Sequence, residues 1–361
     1  MPTVPDELQP EFILTAYETS HDVDGALAEF FSPLPNLENG VNVKYDVYEY
    51  QRGLGHLVGR NSPPDRRDMP KRSTVNYEAV TMKDAVEIPP ALKDYRGVGQ
   101  QGTRTRQDGV TRATRQLRSY HDTRREWLRA QWLTGGALLS DAGAVPGDAD
   151  GVVYLDHGAR AASNPIPVTL GIDDDHINAT VPNGTSWANS TANIRNDLQH
   201  AAQLLEEDAG VDRGDIVVIM NETAMEYLMT NLDVVNNASE ELKRQREKFG
   251  RLAELWGFEF MEYNTRWQID TETMNDAAGM EYYIPDNVVV VTTRNNEAAG
   301  RAMLECSPSD ENAPAGARGA YAWTDQDEVH PHAVAPGVEW NGGPMLGITD
   351  SVKIFKDVTA V

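Results

Sequence analysis

The chain has 361 residues, enough for one large core or two smaller ones, with 56 acidic against 32 basic side chains and a formal net charge of −24. This acidity argues against a free-standing nucleic-acid binder, whose affinity would come from neutralising phosphates. The single cysteine, Cys306, excludes an internal disulfide, and no segment is long and apolar enough to cross a bilayer.

Residues 1–38 are proline-punctuated and weakly patterned, and read as an arm with one short helical candidate at Asp22–Phe31 before the breaker SPLPN. From Val41 the residues VNVKYDVYEY alternate, with Val41, Val43, Tyr45 and Val47 on one side and Asn42, Lys44, Asp46 and Tyr48 on the other, the period of a half-exposed strand. A return strand is expected from Ser73 through Ile88. The stretch between them is rich in Gly, Pro and Arg and holds too little apolar surface to pack alone. The pair therefore reads as a long projecting hairpin, marginal by itself in water. Its apolar face, Val43, Tyr45 and Val47, would stay wet in a monomer and is expected to make contact with another subunit. Next, GVGQQG at Gly97–Gly102 has the form G-x-G-x-x-G but lacks a strand directly before it and a second strand twenty residues on, so it reads as a hinge.

One long helix is expected from Gly102 to Thr134. Val110, Ala113, Leu117, Tyr120, Trp127 and Leu128 line one face at three-and-four spacing. Between Arg104 and Arg129 eight arginines meet only Asp108, Asp122 and Glu126, a cationic beam in an anionic protein. Arg112, Arg115 and Arg118 are expected to pair with acids on a neighbouring loop or arm, the plain alternative being a solvated helix face. GVVYLDHG and PIPVTLGI then suggest two short paired strands. From about Trp187 helices alternate with buried strands: a helix marked by Trp187, Thr191, Ile194, Leu198, Ala201 and Leu205 and ended near Gly210, the strand IVVIM at 216–220, a helix capped by Asn221, a helix from Ser239 to Trp256, and strands at 258–263 and 288–291. Past Arg318 the chain reads as loop-rich, and SVKIFKDVTAV closes it as a strand.

No catalytic chemistry emerges. Asp173–His176 and His330–His332 lack the helical spacing that aims two ligands at one metal, and GDADG at Gly147–Gly151 lacks the closing glutamate of a calcium loop. There is no nucleophile elbow and no phosphate-binding glycine loop ending in Lys-Ser/Thr. No catalytic, cofactor-binding or metal-binding residue is assigned, and no cofactor. The bases are 24 Arg and only 8 Lys, and dense carboxylate with little lysine suits concentrated salt, where self-repulsion is screened.

AEFF at Ala28–Phe31, YYIPDNVVVVTT at Tyr282–Thr293, AGRAML at Ala299–Leu304 and the closing GGPMLGITDSVKIFKDV resemble the lambda-type capsid protein E family of tailed-virus major capsid proteins. The resemblance implies an α+β chain with the Hong Kong 97-like fold. By it, 1–38 is the N-terminal arm, 39–95 the extended loop, 96–186 the peripheral domain with its spine helix at about 103–134, and 187–310 the axial domain. Residues 311–361 would be shared between the two domains. It further implies homo-pentamers and hexamers in an icosahedral shell around packaged double-stranded DNA. Portal, scaffold and decoration proteins would be its other partners, with no membrane. The beam arginines would then face either a neighbour's acids or the DNA. The chain would be found in the virion after assembly in the host cytoplasm, and its acidity points to a halophilic host. Lys44, Lys71 and Lys83 lie in the loop region, but nothing marks a partner for a covalent cross-link. The alternatives are a cytosolic α/β enzyme or an encapsulin-like storage shell.

Overall fold

A computed structural model describes residues 9–19, 25–35, 42–48, 72–86, 106–135, 152–155, 166–178, 181–182, 184–237, 254–268, 280–308, 313, 317–326, 334–356 and 358. The first of two main sheets is built on β16 (Val334–Leu346). Antiparallel to it run β15 (Gly319–Gln326) beside its first part, β14 (Arg301–Glu305) beside its last, and β4 (Val80–Ala85). Parallel to β14 lies β1 (Ser32–Pro35). The expectation of a loop-rich region past Arg318 is therefore wrong. It fails because β16 contains Pro336, Gly337, Gly342, Gly343 and Pro344, all poor strand formers. Close approach explains two of these glycines: a Cβ on Gly342 would overlap the carbonyl oxygen of Leu304, and one on Gly343 the hydroxyl of Tyr77.

The long helix, α2 (Arg106–Leu133), packs on this sheet. Val110, Ala113, Leu117, Trp127 and Leu128 point inward as expected, but Tyr120 is 54% exposed, and His121 takes the inward place one residue on. Alongside α2, in the same direction, runs the N-terminal segment. Its helix is α1 (Pro10–Thr19), opened by a proline at the first helical position. Of the helix expected near Asp22–Phe31, the described part is a 3-10 helix, Ala26–Phe30, and residues 22–24 lie outside the described residues. Ile13 and Tyr17, four residues apart, pack with Val110 and Leu117 of α2 and with Ala322 and Val338 of the first sheet.

β2 (Asn42–Tyr48) and β3 (Arg72–Glu78) form the expected antiparallel pair. The return strand is not continuous, because β3 stays with the hairpin while β4 joins the first sheet. One further correction concerns the apolar face of β2. Val43, Tyr45 and Val47 are 0%, 5% and 7% exposed within the single chain, in the main core with Tyr77, Trp132 and Leu133. The cover comes not from the loop tip but from the end of α2, far along the chain. The tip, 49–71, and the Gly97–Gly102 hinge lie outside the described residues.

The second sheet has the order β7-β17-β13-β8-β10-β9. β8 (Ile216–Met220) and β10 (Phe258–Glu262) are parallel, and β13 (Val289–Thr293) runs antiparallel to both β8 and β17 (Val352–Phe355). The short edges are β7 (Ile177–Asn178) and β9 (Glu254–Leu255). The valine-rich runs of β8 and β13 are buried on both faces. Val217, Ile219 and Val290 join the main core, while Val218, Met220, Val289 and Val291 pack with Leu198 and Leu205 of α3 (Ile194–Asp208). Asn221 caps α4 (Glu222–Thr230) as expected, its side chain accepting from the Ala224 N–H at 3.1 Å. The C-terminal end of the helix expected at Ser239–Trp256 is instead β9, turned into β10 by Trp256 and Gly257 at φ 56° and 83°. Residues 238–253 lie outside the described residues. The expected pair after α2 is β5 (Val152–Leu155) against β6 (Ile166–Thr169).

Candidate assembly surface

The chain passes between the sheets from β13 to β14 and again from β16 to β17. These crossovers lie side by side: the Gly347 N–H donates to the Gly300 carbonyl at 2.9 Å and the Ile348 N–H to the Ala299 carbonyl at 3.2 Å. Gly300 has φ 62°, where a Cβ is strained, and that Cβ would sit 3.2 Å from the Gly347 Cα. Next to it, Arg301 is 2% exposed. Its guanidinium donates to the Thr292 hydroxyl at 2.6 Å and to the Thr293 carbonyl, and lies 5.6 Å from the Phe30 ring centre. Burial pulls its pKa down to about 9, which still leaves it cationic at neutral pH.

Along α2 the arginines divide into two groups. Arg125 and Arg129 are buried; Arg125 pairs with Asp122, and Arg129 pairs with Glu126 at 3.1 Å. Arg118 is also engaged within the chain, 3.0 Å from Asp122 and 4.8 Å over the Tyr17 ring. Tyr17 itself accepts or donates at His121 Nδ1, 2.9 Å away, and burial raises its pKa to about 12 against the opposing pull of Arg125 and Arg118. The N-terminal segment thus meets the beam through Tyr17, whose ring lies under Arg118 and whose hydroxyl accepts from Arg125 at 3.5 Å.

Arg124 lies 4.3 Å over the Trp127 ring, which leaves Arg112 and Arg115. Both are exposed, and among the described residues neither has a carboxylate partner. With Gln116, Ser119, Tyr120 and Thr123 they form an exposed stripe that carries no acid from Arg112 to Thr123. Arg115 also borders a shallow cleft against Phe12, Thr15, Ala16 and Thr19 of α1. Of the residues expected to make assembly contacts, the structure therefore leaves Arg112 and Arg115 open to solvent, and engages Arg118, Val43, Tyr45 and Val47 within the chain.

Two buried histidines serve structure. His121 Nε2 lies 3.2 Å from Asp84 on β4, and His176 spans the Val352 carbonyl at 3.1 Å and Asp208 at 3.2 Å. No cluster of three or more metal-ligating side chains occurs among the described residues, and His330–His332 and Gly147–Gly151 lie outside them.

Among solved structures the chain is similar to a capsid protein of a prophage of E. coli CFT073, at 14% identity and a TM-score of 0.57 over 95% of this chain and 97% of that one. It is also similar to a phage-related protein from Bordetella bronchiseptica RB50, at 11% identity and a TM-score of 0.51 over 97% of each. At such identities the likeness is one of fold, and the class it defines is the Hong Kong 97-like capsid fold. A family model described as phage major capsid protein E matches residues 38–334, and the chain belongs to that family. The family is structural and not enzymatic. No curated protein matches the sequence.

Proposed function

We propose that the chain is the major subunit of an icosahedral virus head, assembling as pentamers and hexamers around double-stranded DNA. The observation that carries this reading is the family match over residues 38–334, most of the chain. On this reading the first sheet with α2 forms the peripheral domain, the second sheet with α3 and α4 the axial domain, and residues 311–361 are shared between them. The 39–95 loop reaches a neighbour through its tip, since the base of the hairpin is occupied by its own core. Arg112 and Arg115 meet a neighbour's carboxylates, supported by their exposure and by the acidity of the rest of the chain. Contact with packaged DNA is non-specific, and portal, scaffold and decoration proteins complete the head in the host cytoplasm.

Electron microscopy of the purified protein tests the assembly reading directly: capsomers or closed shells support it, and a small closed oligomer under all conditions overturns it. The same preparation tests the halophilic host. Diluting from molar to tenth-molar salt lengthens the screening distance from about 3 Å to about 10 Å and restores repulsion between subunits carrying a net charge of −24. Particles should loosen on dilution. Equal light scattering at both salts would remove the halophilic reading and leave the capsid reading standing.

A further inference from the structure

Glu126 is 3% exposed, and its carboxylate holds together three parts of the chain. Oε1 accepts from the backbone N–H of Leu27 at 2.9 Å, at the start of the turn that docks the N-terminal segment. The same oxygen accepts from the hydroxyl of Tyr263 at 2.6 Å, one residue beyond β10 in the second sheet. Oε2 accepts from Arg129 of α2 at 3.1 Å. Gly25 lies flat against the carboxyl group, where any Cβ would overlap it. One turn back along α2, the Thr123 carbonyl accepts from Tyr283 at 3.1 Å, and the Tyr263 and Tyr283 rings lie 6.0 Å apart.

A carboxylate this deeply buried is tolerated only while its oxygens are hydrogen-bonded. Two donors from different segments on one oxygen therefore depend on each other, because each fixes the side-chain position the other needs. We propose that Glu126 is a joint coupling the docking of the N-terminal segment to the placement of the second sheet against α2. Release of the Leu27 turn frees the carboxylate to move, Tyr263 loses its acceptor, and the second sheet gains freedom to turn about the paired glycines Gly300 and Gly347. The inference goes beyond the assembly reading and does not depend on it, since it concerns one chain. In a shell of pentamers and hexamers, it would let the state of the arm set the angle of the subunit.

Amide hydrogen exchange of the full chain tests this. Tyr263→Phe removes only a hydroxyl that does not touch the N-terminal turn, yet exchange across residues 26–31 should rise roughly tenfold, the equilibrium worth of one hydrogen bond to a charged group. Gly25→Ala pushes on Glu126 from the other side and should speed exchange across residues 258–263. The double variant should add little to the larger single effect, as expected for residues acting through one group. Tyr283→Phe is the control, because it releases the Thr123 carbonyl and not Glu126, and should leave 26–31 unchanged. If Tyr263→Phe speeds exchange only in its own sheet, or slows it at 26–31, the coupling does not exist. That result decides the matter even if Gly25→Ala fails to fold.

Discussion

Lys353 gives the sharpest test of how the second sheet is balanced. It sits on β17, between β13 and β7, with 0% exposure; its ammonium group donates to the Asp175 carbonyl and lies 5.7 Å from the Phe355 ring centre. Burial lowers its pKa from 10.5 to about 8, with Asp175 pulling the other way. Because the folded value lies below the unfolded one, the unfolded chain binds the extra proton between pH 8 and 10.5, so this residue makes stability rise with pH across that window. Below about pH 8 the fold carries the whole burden, at most about 3 kcal/mol, and less to the extent that the carbonyl bond is lost with the charge. Lys353→Met keeps the length of the side chain and removes the charge. It should be more stable than the parent by about 1–3 kcal/mol at pH 7, with the advantage shrinking to near zero by about pH 10.5. Urea midpoints of both proteins at pH 7, 8, 9 and 10 measure the difference, and changes common to other lysines and tyrosines cancel in it. A parent more stable at pH 7 would show that the ammonium–carbonyl bond outweighs burial, and a difference independent of pH would show that burial does not lower this pKa; either result refutes the reasoning.

The other expectations concern glycine, arginine and the hairpin. Gly342→Ala presses a methyl onto the Leu304 backbone and should cost more than about 3 kcal/mol, whereas Gly184→Ala, with open space but φ 66°, should cost about 1 kcal/mol; thermal melts compare them. Arg118→Gln gives up the Asp122 pair and the Tyr17 face and should expose α1 to protease, while the Arg112→Gln/Arg115→Gln pair should leave digestion unchanged and weaken capsomer formation on a sizing column. Tyr45→Ala should destabilise the isolated chain by about 3 kcal/mol or more in urea titration. By contrast, replacing residues 53–72 with an Asn-Gly turn should preserve the folded circular dichroism spectrum and prevent shell closure under the microscope.

What the sequence made legible was what its local period encodes. The face of α2, the alternation of β2, the valine runs of β8 and β13 and the Asn221 cap each depend on residues within a few positions of one another. The features it hid depend on distant partners. β16 looks like a loop until Tyr77 and the Leu304 carbonyl are seen against its glycines, and Arg118 looks free until Tyr17, 101 positions earlier in the chain, lies under it. Tyr120 and His121 show the same limit on a smaller scale, since either spacing is helical and only the contacts of Tyr17 and Asp84 select the histidine. The strings that carried the family resemblance mark a middle case. AEFF supplies Phe30, AGRAML supplies Gly300 and Arg301, GGPMLGITD supplies Gly347, and these meet at the two crossovers. YYIPDN supplies Asp286, which accepts from the Asn221 amide and from the Thr223 hydroxyl at 3.1 Å and so steadies the start of α4. Each string looks arbitrary along the chain. In the fold three of them meet where backbone passes backbone beside the buried Arg301 and the fourth fixes the start of a helix, and at such places the choice of residue is narrow enough for a short string to be recognisable.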